Sequence, residues 1–154
     1  MAIPDQIRIR YEAGYHTRFI GTYDRGRKQF MAFVVASFTT PTKRNRVQRK
    51  QWYAVLHTFD KAGNHLQTQA SYAGDTTPGG EDAVVEKAQA KRTEMLESLG
   101  KYTLKDVRVK LFSVTIDGHR FGLEDTTDDE RGESVTLWPN DLFFTPPWNG
   151  TYST

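Results

Sequence analysis

The sequence predicts an α+β fold: a strongly twisted antiparallel β-sheet of six to eight strands, with one long α-helix at about residues 81–99 packed on one face. Three observations carry this expectation. Apolar residues fall mostly in short runs with strand periodicity, a single stretch has helical spacing, and Gly-, Asn- and Asp-containing turns separate the runs. A chain of 154 residues without a repeat or a linker-like tract is expected to form a single domain over 1–154.

The elements follow in order. "IRIR" (7–10) alternates apolar and basic residues, as an edge or half-buried strand does. "HTRFIGTYD" and "KQFMAFVVASFTT" flank Asp24-Arg25-Gly26-Arg27, a hairpin turn in which Gly26 can take positive φ. In the second of these runs Phe30, Val34 and Phe38 face one way and Met31, Phe33 and Val35 the other. That strand therefore needs a cover on each side. "WYAVLHTF", the turn "DKAGN" and the alternating "HLQTQASYA" form the strongest hairpin. After the loop "GDTTPGGED", Val84, Ala88, Met95 and Leu99, flanked by Val85 and Leu96, make a helical stripe. Glu81 and Asp82 suit its positive end, and Gly100 suits the left-handed position just beyond it. Strands return in "LKDVRVKLFSVTIDGHRFGLEDT", with a turn at Asp117-Gly118, and in "SVTLWP". Residues 139–154 read as an irregular aromatic strap.

Composition bounds the chemistry. Aromatic residues at 12% argue against disorder. There is no cysteine, which excludes disulfides, thiolate nucleophiles and thiolate metal sites. The N-terminus "MAIPDQIRIRYE" lacks a secretory pattern, and no run approaches a membrane span, so a cytoplasmic location with no membrane partner is expected. The net charge of +2 conceals a split: residues 1–50 hold 11 basic and 3 acidic residues (+8), and residues 51–154 hold 10 and 16 (−6).

Four features could carry function. The first is "PTKRNRVQRKQW", with Lys43, Arg44, Arg46, Arg49 and Lys50. It could grip phosphates beside Trp52 and Tyr53, making a nucleic-acid partner possible. A solvated loop between strands is the preferred reading. Trp52 and Tyr53 fit a strand pattern, no recognition motif accompanies the cations, and the helix begins with acids. The second is the pair His57 and His65, on the two arms of one hairpin. Whether they share a face, within reach of one metal ion, depends on register, and a third ligand would have to come from elsewhere. A hydrogen-bonded core histidine is preferred at 57.

The third is the acidic loop "EDTTDDERGE", read as a solvated loop whose Asp128, Asp129 and Glu130 could meet a partner and whose Asp128 and Asp129 could bind a cation weakly. Counted from Asp125, the sixth position is Glu130 and the glycine arrives at 132, so the calcium-loop spacing fails. The fourth is "LFFTPPWNGTYST", whose Phe144, Trp148 and Tyr152 either plug the core or form a protein-binding patch. "TPGGED" lacks a P-loop ending, "GHRFG" is no dinucleotide fingerprint, and no serine sits in a Gly-x-Ser-x-Gly elbow. No cofactor and no catalytic residue is assigned.

"RYEAGYHTRFIGTYDRGRKQF", "KQWYAVLHTFDKAGNH", "VTIDGHRFGLEDTTDDERGE" and "PPWNGTYST" together resemble small bacterial proteins labelled formate hydrogenlyase regulatory protein (HycA-like). The resemblance covers nearly the whole chain and departs at the basic stretch 43–50. It implies a non-catalytic regulator of hydrogenase gene expression and assigns no site residue. The residues themselves favour a non-enzymatic protein-binding domain, a bacterial regulator or an immunity-type inhibitor, steered by its basic and acidic loops. The alternatives are a nucleic-acid-binding protein using 43–50 and a small enzyme or metal site around His57 and His65.

Overall fold

The computed structural model describes residues 3–38, 50–76 and 81–154. Among these, the elements run β1 (Ile7–Ile9), β2 (Ile20–Tyr23), β3 (Lys28–Phe38), β4 (Lys50–Asp60), β5 (His65–Thr76), α1 (Asp82–Ser98), β6 (Tyr102–Leu104), β7 (Val107–Val109), β8 (Phe112–Ile116), β9 (His119–Asp125), β10 (Val135–Trp138) and β11 (Leu142–Phe144). The fold is α+β, built from antiparallel sheets and one helix. No helix among the described residues is long and apolar enough to cross a membrane.

The single sheet of six to eight strands is corrected. The described strands form a five-stranded sheet ordered β5-β4-β3-β2-β6, a four-stranded sheet ordered β11-β10-β9-β8, and a β1-β7 ribbon. The reason lies in β3, which buries Phe30 and Ala32 on one side and Met31, Phe33 and Val35 on the other. Such a strand needs two covers, and one helix supplies only one. Met95 and Leu96 of α1 cover Phe30, Ala32, Ala54 and Leu56. The later strands supply the second cover. Phe112, Phe121, Leu123, Val135, Leu137 and Phe144 share one core with Met31, Phe33, Tyr53, Val55 and Phe59. The ribbon adds Ile7, Ile9, Val107 and Val109 to that core.

α1 leaves β5 at one edge of the large sheet and returns the chain to β6 at the other. It stops where expected, with Gly100 at φ +76°. Its first residues are anchored by Lys50, whose Nζ lies 2.9 Å from a Glu81 carboxylate oxygen.

One side chain ties the ribbon to the large sheet. Gln29, 7% exposed, accepts a hydrogen bond from the Arg108 backbone N–H at 2.8 Å and donates to the Arg108 carbonyl at 2.8 Å. Its amide thus stands in for a strand partner of β7. Gln29→Leu leaves both Arg108 groups unmatched in a shielded place, and urea unfolding should show a loss of about 2 kcal/mol. A loss within experimental error would mean that the ribbon is held by its apolar side chains alone.

Candidate functional site

The histidine pair sits where a hairpin irregularity puts it. His57 is opposite Thr68, Thr58 is opposite Gln67, and Phe59 is opposite His65, so Leu66 is an extra residue in β5. The bulge breaks the clean alternation expected over 65–72 and turns His65 onto the face of His57. The two rings lie 6.5 Å apart, and the Thr68 hydroxyl bridges them, 2.8 Å from His57 Nδ1 and 2.7 Å from His65 Nε2. Phe112 closes the group, stacking on His65 at 4.6 Å and meeting His57 edge-on at 4.9 Å.

His57 is only 1% exposed, and burial, aided by neighbouring His65, lowers its pKa to about 3. Burial lowers that of His65 as well. A sealed imidazole that stays neutral far below physiological pH is a poor proton acceptor for catalysis. Among the described residues, no group of three His, Cys, Asp or Glu side chains is placed to hold a metal ion. The pair shares a face, with His57 buried and His65 half-buried beneath Phe112.

The acidic loop is an ordered hairpin. Asp128 and Gly132 exchange backbone hydrogen bonds, the Arg131 N–H donates to Asp128 at 2.5 Å, and the Thr127 N–H donates to Asp125 at 2.9 Å. The Thr127 side chain and backbone hold the Asp125 carboxyl below its ordinary range. At the base, the Thr126 hydroxyl joins those of Ser134 and Thr136. Asp128, Asp129 and Glu130 are exposed at the tip. Next to the base lies a shallow depression of about 300 Å³ lined by Leu111, Phe112, Ser113, Leu123, Glu124 and Asp125. Leu111 is 41% exposed there, beside β8, the edge strand of its sheet.

The C-terminal aromatics pack against the interior to different depths. Phe144 is 1% exposed within β11, which corrects its assignment to a contact surface. Trp148 and Tyr152 are half-buried against the same core. Tyr152 meets Phe144 and His16, and the Ser153 backbone exchanges hydrogen bonds with Phe143. Of the basic stretch, Lys43, Arg44, Arg46 and Arg49 lie outside the described residues. Lys50 is committed to Glu81 and sits over the Phe38 and Trp52 rings.

A further site has no counterpart in the sequence reading. A cleft of about 390 Å³ opens between α1, β3, β4 and the loop before β2. Val34, Trp52 and Val85 give it an apolar side, while Arg18, Arg92 and Asn140 give it a polar one. Among the described residues, no acidic side chain lines it. Arg92 is 9% exposed, its guanidinium lies 4.5 Å from the centre of the Phe19 ring, and Arg18 approaches the same ring at 5.3 Å. Burial, then the nearby Arg18 charge, lowers the pKa of Arg92 below its ordinary value. The sequence held one signal for it. The helical stripe leaves a gap between Ala88 and Met95, and Arg92 fills the slot an apolar residue would occupy.

Comparison of the chain with protein-family profiles, with curated proteins and with solved structures gives no match.

Proposed function

We propose that this chain works by binding another protein, as a regulator or an immunity-type inhibitor, and that the partner presents a basic segment with an apolar residue to the acidic hairpin. The observation that carries this reading is the exposed Leu111 in one depression with Glu124 and Asp125, next to a hydrogen-bonded hairpin whose tip exposes Asp128, Asp129 and Glu130. An apolar spot with a charged rim is the usual make-up of a protein contact. A pre-formed acidic tip adds steering without an ordering cost.

The test is affinity recovery from native cell extract at low salt, followed by titration of the recovered protein. Asp129→Lys combined with Glu130→Lys should weaken binding roughly tenfold, mostly through a slower on-rate, and Leu111→Ser should weaken it separately. Glu94→Lys on α1 serves as a neutral control. A recovered partner indifferent to all these variants, or no recovered protein, removes the reading. A nucleic-acid role for 43–50 gains no support from Lys50, which is paired within the fold.

A further inference from the structure

We propose that the cleft beneath the first half of α1 is a binding site for a small organic anion, whose charged head meets Arg92 and Arg18 and whose apolar body lies against Val34, Trp52 and Val85. This site is separate from the protein contact above and stands on different residues.

The argument begins with the energetics of burial. A guanidinium taken out of water is costly unless it is paired and its donors are matched. Arg92 is 9% exposed, and no carboxylate among the described residues lines the cleft beside it: its charged group meets the Phe19 ring and lies near a second cation. Its Nε–H is buried and has no acceptor among the described residues. Buried orphan donors are rare in folded proteins, and a charged one at the wall of a cleft points to a ligand. The cleft also holds the complementary orphan, since Asn140 Oδ1 is buried without a donor among the described residues. One unmatched charged donor and one unmatched acceptor line the same space. An anion's oxygens would match the charged donor, and a hydroxyl on the same ligand would add a match for Asn140.

The walls set the rest of the ligand. Two guanidiniums and no carboxylate favour a negative head, and a planar fork suits carboxylate or phosphate oxygens. The apolar side excludes a bare inorganic ion as the best occupant, because nothing would then cover Val34 and Val85. The volume of about 390 Å³ is in the range of metabolite-sized sites. Phe19 holds both guanidiniums by cation–π contact, which fixes the receptor before the ligand arrives.

The experiment is an NMR titration of the folded chain with benzoate and with phenyl phosphate, using neutral benzamide as the control. Both anions should shift the Arg92 Nε–H, the Trp52 indole N–H and the Asn140 side-chain amide in a saturable way, and benzamide should not. Arg18→Gln changes an exposed residue and leaves the core alone, and it should raise the benzoate Kd about fivefold or more. Arg92→Lys keeps a charge but loses the fork and should raise it further. Equal binding of benzamide, shifts confined to other parts of the molecule, or an unchanged Kd in Arg18→Gln would each overturn the site.

Discussion

Lowering the pH from about 7 to about 4 should remove about 3 kcal/mol of stability through His57 alone. The folded protein keeps this imidazole neutral down to about pH 3, while a histidine in an unfolded chain takes up its proton near 6.5. Between those values the unfolded state binds the extra proton. Stability therefore falls as the pH falls, by up to about 1.4 kcal/mol per unit. His65, whose pKa is also lowered, adds to the slope in the same direction. Carboxylates held low by hydrogen bonds, such as Asp60 with Asn64 and Asp125 with Thr127, act only in the more acidic window where carboxylates titrate. The two contributions therefore separate on the pH axis. Urea unfolding at several pH values measures the slope, and His57→Gln, which can still bond Thr68, should flatten it between about pH 6.5 and pH 4. An unchanged slope in the variant would mean that water reaches the imidazole in the folded state.

That burial explains why the histidines could be seen in the sequence but not interpreted. The side chains sit eight residues apart on a hairpin, and their relation depends on one inserted residue, Leu66, whose place in the ladder is a matter of pairing and not of local pattern. The elements themselves were legible because each has a local cause. β3 shows its two apolar faces as a continuous run, and α1 shows its stripe and its terminal Gly100. The division into two sheets was not, because a strand's periodicity says that it has a buried face and not which surface buries it. Gln29 and Arg92 were missed for a related reason. Each is a polar residue whose role is set by partners far along the chain: Arg108 is 79 residues from Gln29, and Arg92 meets Phe19, from which β3, β4 and β5 separate it in sequence. The acidic hairpin shows itself as a loop by its charge and its glycine, but the backbone and hydroxyl bonds that order it are not visible in composition.

The two-sheet core makes the largest mutational claim. Phe121, fully buried in β9, meets the Tyr53 ring of the opposite sheet edge-on at 5.7 Å and lies in the cluster that joins both sheets. Phe121→Ala removes a ring from the contact between layers that cannot close up without moving a whole sheet. The expected cost is about 3–5 kcal/mol, a large share of the stability of a domain this size. Phe121→Leu keeps most of the volume and should cost markedly less, which separates loss of packing from any special need for the aromatic edge. The neighbouring Gly122 gives an independent check on the same layer. A Cβ there would lie 2.3 Å from the Phe112 carbonyl oxygen, at a φ of +155°, so Gly122→Ala must part β8 from β9. Chemical unfolding of the three variants measures all of this. If Phe121→Ala cost no more than a surface change, the four-stranded sheet would not be the second cover of β3, and the architecture that places the hairpin, the depression and the histidine pair would have to be redrawn.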